Sequence, residues 1–293
     1  MTRIDLHTHS TVSDGTETPE ELVATAAAAG VTTLALTDHD TTGGWARAAA
    51  ALPSGMRLVR GAEFSCVSPT GRPGTPGDRA TLSVHLLGYL FDPEHPAIVA
   101  EQRRIVQERI ARLHTMARNV ALDYPQLDAE RVFDLVPDGT TPGRPHLGQA
   151  LVRAGVVASV NEAFASILRN GSKYYVPKRD TPVEQAVTMI VEAGGVAVFA
   201  HPFARLRGRV IETSVLADLA ALGLGGVEVD HPDHTPQDRA LLRGVAAEPG
   251  LVATGSSDFH GTNKLTPIAA ETTDPDEFAR LVGKATGVEV LEG

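Results

Sequence analysis

Apolar residues in the first ninety positions fall into short runs, separated by stretches in which they recur every third or fourth place. Short runs suit buried strands, and the wider spacing suits helices that cover them. The pattern predicts a strand at Arg3 to His7, a helix from Pro19 to Ala29 and a strand at Thr33 to Thr37. A helix from Gly43 to Leu52 and strands at Leu58 to Phe64 and Leu82 to Leu87 follow. Thr18-Pro19-Glu20 is a helix-starting sequence and Gly30 a stop.

The alternation resumes after residue 181. It predicts a helix from Pro182 to Ala193, a strand at Val196 to Ala200, a helix from Glu212 to Leu222 and a strand at Gly226 to Val229. A helix from Pro236 to Ala247, a strand at Leu251 to Gly255 and a terminal helix from Pro275 to Val282 complete it. About seven strand-helix units in this order indicate a barrel-like α/β fold.

Between the halves the rhythm breaks. Ile98, Ile105, Ile110, Leu113 and Val120 share one helical face, and shorter helical stretches follow at Leu147 to Ala154 and Val160 to Leu168. The expected organisation is a barrel from residues 1–95 and 181–293, with a helical insertion at 96–180 acting as a substrate cap. Ser68 to Asp78, rich in Pro and Gly, reads as a connector.

At 293 residues the chain can bury a full core as one main domain. It contains no run of 18 apolar residues, so no membrane partner is expected. The one cysteine, Cys66, excludes a disulfide framework and a thiolate metal knuckle, and a cytoplasmic setting fits. The net charge of −10 argues against long duplex nucleic acid as a partner. The charge is uneven, because residues 96–180 hold 12 Lys/Arg against 9 Asp/Glu.

The C-terminal ends of the predicted strands carry His7 and His9, Asp38-His39-Asp40, Glu63, His85, His201, His231, and Asp258 with His260. Active sites of α/β barrels gather at that end. Any one of these histidines has an ordinary structural reading as a hydrogen-bonded side chain. So many imidazoles and carboxylates in register are costly unless cations compensate them. Imidazole with carboxylate and no thiolate suits zinc, manganese or iron.

With these residues in view, the chain resembles the PHP (polymerase and histidinol phosphatase) family of metal-dependent phosphoesterases over nearly its whole length. The resemblance rests on Asp5-Leu6-His7-Thr8-His9, Ser13-Asp14-Gly15, Thr37-Asp38-His39-Asp40, Gly61-Ala62-Glu63-Phe64-Ser65, Val84-His85, Ala200-His201-Pro202 and Ser257-Asp258-Phe259-His260. It implies a distorted (β/α)7 TIM-like barrel holding two or three divalent ions (Mn, Fe or Zn). It also implies that His7, His9, Glu63 and Asp258 serve one ion, with Glu63 bridging to a second held by His85 and His201. A third would take Asp14, His39 and His260. Several trinuclear relatives have a histidine where this chain has Asp14. Asp5, Asp38 and Asp40 are expected to hold ligand imidazoles, with helix capping as the alternative for Asp40.

Gly143-Arg144-Pro145-His146-Leu147 and the insertion resemble the branch of the family acting on nucleotides, including nucleoside 3′,5′-bisphosphates and short oligoribonucleotides. That makes Arg144, His146, Lys173 and His234 candidate substrate contacts, and Tyr174 or Tyr175 a candidate base platform. His231 is expected in a turn or behind the ligands. The implied mechanism is attack on phosphorus by a water shared between two ions, with Arg144 bearing developing charge and His201 able to give a proton to the leaving oxygen if it holds no metal. Two alternatives stay open: a phosphatase for a small metabolite such as histidinol phosphate, and a non-catalytic module that keeps its metal for stability. Oligomeric state is not legible.

Overall fold

In the computed structural model, which describes residues 2–70, 81–136 and 142–293, the strands join in one sheet. The first half contains β1 (Ile4–Asp5), α1 (Pro19–Ala28), β2 (Thr33–Leu36), α2 (Trp45–Ala50), β3 (Arg57–Pro69) and β4 (Thr81–Tyr89). Next come α3 (Pro96–Ala121), α4 (Arg144–Arg153) and α5 (Val160–Ala165). The second half is β5 (Thr181–Pro182), α6 (Val183–Glu192), β6 (Val196–Phe199), α7 (Thr213–Ala221), β7 (Gly226–Asp230), α8 (Pro236–Ala247), β8 (Val252–Gly255), α9 (Pro275–Lys284) and β9 (Leu291–Glu292).

The main path of the sheet is β1-β2-β3-β4-β6-β7-β8, with β5 and β9 pairing onto β3. Its two ends meet beyond the strands. Thr8 bridges Phe259 in parallel, and the His9 amide donates to the Phe259 carbonyl at 2.9 Å. The result is the expected α/β barrel, nearly closed. Its distortion has a definite source: β4 runs antiparallel to both β3 and β6, so one strand of the barrel is reversed. Antiparallel partners need no crossover helix, and none lies between β3 and β4 among the described residues.

Strand periodicity sorts the core. Leu58, Ala62, Phe64, Cys66, Leu86, Ala197, Phe199 and Val227 pack with the helices, whereas Val59, Leu87, Tyr89, Val196 and Val198 join Ile4 and Leu6 in a second cluster. Burial of each such large side chain contributes about 1.5–3 kcal/mol. The same period-two alternation puts Glu63, His85 and Glu228 on the face opposite the helices. The predicted helix at Gly43 shortens to Trp45–Ala50, with Gly44 as its cap. Thr18 and Glu21 exchange side-chain and backbone bonds at 2.8 and 3.2 Å to start α1, as the sequence indicates. β3 runs past the expected Phe64 to Pro69, taking in the start of the predicted connector, whose residues 71–78 lie outside the described ones.

By its internal contacts the chain separates into two units, Met1–Val99 with Asp180–Gly293, and Ala100–Arg179. The second has its own core, in which Leu113, Met116 and Val120 of α3 meet Leu147, Leu151, Ala163, Leu168 and Tyr174. Ile110 is 37% exposed and lies off that face, and Ile98 belongs to the barrel core instead. Among the described residues no helix is long and apolar enough to cross a membrane.

Candidate metal centre

Glu63 stands at the middle of the site because β3 carries it inward where five imidazoles converge. Its Oε2 lies 3.0 Å from His7 Nε2, 3.1 Å from His9 Nε2 and 3.4 Å from His39 Nδ1. Its Oε1 lies 2.8 Å from His85 Nδ1 and 3.1 Å from His201 Nε2. His7 and His9 follow β1, His39 follows β2 and His201 follows β6, each just past a strand end. His85 sits in the middle of β4 and faces the same site from a reversed strand.

Asp258, just past β8, completes the first group: its Oδ1 is 3.5 Å from both His7 Nε2 and His9 Nε2. Asp14 centres another, with Oδ1 3.3 Å from His260 Nε2 and 3.6 Å from His9 Nδ1, and Oδ2 3.7 Å from His39 Nε2. Three sets of candidate ligand atoms each lie within 4.8 Å of one another: His7, His9, Glu63 and Asp258; His9, Asp14, His39 and His260; and His39, Glu63 and His85. His201 falls outside these sets yet touches the shared carboxylate, and His39 stands near both Asp14 and Glu63.

The donor set fits divalent ions on an internal test. His7 Nε2, His9 Nε2, His39 Nδ1 and His85 Nδ1 are buried without a hydrogen-bond partner, though each lies beside Glu63. Buried polar atoms are rarely left so. Bonds of about 2.0–2.2 Å around a tetrahedral ion place ligand atoms roughly 3.3–3.6 Å apart, near the separations in the first group.

Burial pushes His9, His39 and His201 each down to about 4, which leaves them neutral and able to ligate. His7 moves the other way: burial opposes its charge, but Glu63, Asp258 and Glu228 outweigh burial and raise it well above the ordinary value. For Glu63 burial again opposes ionisation, yet His7, His85 and His39 hold the carboxyl well below its usual range. Asp40, His201 and Asp258 adopt φ values of 56°, 28° and 53°, a region costly for side-chain-bearing residues and common at functional sites.

The aspartates assigned to imidazole support act differently. Asp5 accepts from the Ser257 amide and hydroxyl at 3.0 and 2.6 Å and from the Ala269 amide at 2.8 Å. Asp38 accepts from the Ser10 amide and hydroxyl and from Ser13, and Asp40 from the Ser65 amide at 2.7 Å. They hold the loops carrying the ligands. The imidazole is held instead by Glu228, fully buried in β7, whose Oε1 lies 3.1 Å from His7 Nδ1 and whose Oε2 accepts the His201 amide at 2.7 Å. A glutamate inside the apolar run Val227-Glu228-Val229 was the signal for this residue.

Two cations at the site were also missed. Arg207 Nη2 and Lys264 Nζ lie 2.8 and 2.6 Å from Asp258 Oδ2, the oxygen turned away from His7 and His9. Arg207 is the middle arginine of Arg205-Leu206-Arg207-Gly208-Arg209 in the loop after β6, and Lys264 lies in the loop after β8.

His234 is buried with both ring nitrogens engaged: Nε2 accepts the Phe203 amide at 3.2 Å and Nδ1 meets the Val229 carbonyl at 2.9 Å. His231 lies behind Asp258, with Nε2 3.4 Å from Oδ2. In the second unit, Arg144 Nη1 donates to the Leu168 carbonyl at 3.1 Å and to Asn170 at 2.8 Å, and its guanidinium lies over Phe164 and Tyr175. His146 Nδ1 accepts the Gly143 amide at 3.1 Å and caps α4. Lys173 pairs with Asp123 at 2.8 Å. Tyr174 is a core residue, its hydroxyl on Asp123, whereas Tyr175 faces Arg112 and Arg144.

A family model described as the PHP domain matches residues 5–169. A 3′,5′-nucleoside bisphosphate phosphatase of Chromobacterium violaceum is 32% identical over 292 residues, 99% of each chain. The phosphoribosyl 1,2-cyclic phosphate 1,2-diphosphodiesterase of Eggerthella lenta is 37% identical over 88% of this chain and 94% of its own. The 5′-3′ exoribonuclease Rnm of Escherichia coli is 32% identical over 87% of this chain and 84% of its own. A solved structure from Bifidobacterium adolescentis, described as a metal-dependent phosphoesterase, superposes with a TM-score of 0.83 at 33% identity, covering 97% of both chains.

Proposed function

The chain belongs to the PHP-domain family of metal-dependent phosphoesterases, and from that premise we propose that it removes the 3′-phosphate of nucleoside 3′,5′-bisphosphates and trims short 5′-phosphorylated RNA at the same centre. The observation that carries the reading is the convergence of unbonded, buried imidazole nitrogens on Glu63. The substrate class is favoured by similarity over 99% of the chain to a protein named for the bisphosphate reaction and over 87% of the chain to one named as an exoribonuclease.

His7, His9, Glu63 and Asp258 would hold one divalent ion, Glu63, His85 and His201 a second, and Asp14, His39 and His260 a third, with manganese, iron and zinc the candidates. Ions held there supply Lewis-acid charge to phosphoryl oxygens and make water acidic enough to attack near neutral pH. Glu63 reaches histidines on both sides and would serve ligand sets on each side. The neutrality of His201 favours ligation over proton donation. Arg144, whose guanidinium lies over Phe164 and Tyr175, would serve as a phosphate contact of the second unit, and His146 and Lys173 add polar and positive character to that segment. We give His234 the support of the 201–203 turn through the Phe203 amide.

The test is phosphate release from adenosine 3′,5′-bisphosphate, AMP, a short 5′-phosphorylated RNA and histidinol phosphate, after chelation and restoration of single metals. Metal-dependent release from the bisphosphate and the RNA is expected. Release from histidinol phosphate alone would move the function to a small metabolite, and full activity in chelated protein would overturn the metal mechanism.

A further inference from the structure

We propose that Arg207 and Lys264 form a phosphate-binding pair beside the metal centre that makes phosphomonoesters better substrates than the phosphodiesters the same centre also cleaves. The inference rests on the phosphoesterase reading and adds which ester the barrel itself favours.

The two oxygens of Asp258 face different surroundings. Oδ1 points to His7, His9 and His260 at 3.5, 3.5 and 3.4 Å, whereas Oδ2 receives Arg207 Nη2 at 2.8 Å and Lys264 Nζ at 2.6 Å, with His231 Nε2 farther off at 3.4 Å. Two full positive charges on one oxygen of a single carboxylate are more than that carboxylate needs. An ion held through Oδ1 would draw charge from Oδ2 and weaken both bonds, leaving the two cations in place. Because both heads touch one atom, they lie close enough to share the oxygens of a second anion.

The cations are held ready and reachable. Arg207 Nε is pinned by Asp233 at 2.7 Å, and its turn is anchored by Arg205 on Asp238 at 2.9 Å. Asp258 is almost fully buried, but the side chains of Arg207 and Lys264 are 39% and 32% exposed, and spare N–H groups remain on both. Their neighbours Leu206 and Leu265 are 91% and 103% exposed, so neither turn owes its position to core packing by these side chains.

Selectivity follows from counting oxygens. A phosphodiester has two unesterified oxygens and one charge, both oxygens being taken if each meets an ion. A monoester keeps a third oxygen and a second charge, which the pair can receive through charge-assisted hydrogen bonds.

Inorganic phosphate titrated calorimetrically into the manganese-loaded protein tests the pair in Arg207→Gln and Lys264→Gln, with metal content measured on the same samples. We expect phosphate affinity to fall about tenfold or more in each, the size of one charge-assisted bond. Metal content should be unchanged, and Arg207→Lys should recover part of the loss. Turnover of p-nitrophenyl phosphate should fall by a similar factor through KM, with bis(p-nitrophenyl) phosphate changed by less than about threefold. Unchanged phosphate affinity in both variants, parallel loss on both esters, or loss of metal would each overturn the proposal. If the wild-type protein hydrolyses neither ester with any metal, the phosphoesterase reading fails, and the phosphate titration still decides the pair.

Discussion

Glu228→Gln removes one charge from the interior while keeping shape, and it isolates the part Glu228 plays in metal binding. Glu228 meets His7 Nδ1 at 3.1 Å, accepts the His201 amide at 2.7 Å and is held by the Ser256 hydroxyl. Burial disfavours its charge, but His7 and His231 outweigh burial and keep the carboxyl below its usual range. As an acceptor it keeps a proton of His7 on Nδ1, so that Nε2, facing Glu63 and Asp258, is the nitrogen that would give up its proton to an ion. A glutamine amide can satisfy the His201 amide only by turning its NH2 elsewhere, and an NH2 facing His7 favours the tautomer with the proton on Nε2, which cannot ligate. Loss of such a support costs about 10–100-fold in metal affinity, or about 1.4–2.7 kcal/mol. Competition against a chromophoric chelator gives the metal Kd, and far-ultraviolet circular dichroism checks that the chelated variant stays folded. A Kd and a turnover both within about twofold of wild type, in a folded variant, would refute the assignment.

Two further outcomes follow from the same geometry. In chelated protein, burial holds His9, His39 and His201 near 4, against about 6.5 in the unfolded chain. The unfolded chain then binds more protons between those values, so stability is full above pH 6.5 and falls toward pH 4, by up to about 3 kcal/mol for each imidazole; a melting temperature of the chelated protein that stays flat from pH 7 to 4.5 would contradict this. For Arg144→Ala we expect KM for adenosine 3′,5′-bisphosphate to rise about tenfold with kcat little changed, reflecting one lost charge-assisted contact, and equal KM values in steady-state assays would remove Arg144 from substrate binding.

The order of strands and helices was legible because burial imposes periods of two and 3.6 on the chain, and the barrel is built from those faces. His7, His9, His39, Glu63, His85, His201, Asp258 and His260 were legible as a group because ionisable residues within or just past apolar runs stand out against their neighbours. Tertiary structure decided what no local pattern encodes. His85 faces the site from the middle of the reversed β4, and Asp5 bonds Ser257 and Ala269 while His7 and His9 face the carboxylates. Glu228, Arg207 and Lys264 lie far in sequence from the side chains they touch, so their roles depend on which strand ends become neighbours when the sheet closes. The sequence by itself determined the elements and the chemical character of the site, since those follow from residue type and spacing. Only the closed barrel decided which carboxylate oxygen meets which imidazole, since that is set by register, strand direction and loop geometry acting together.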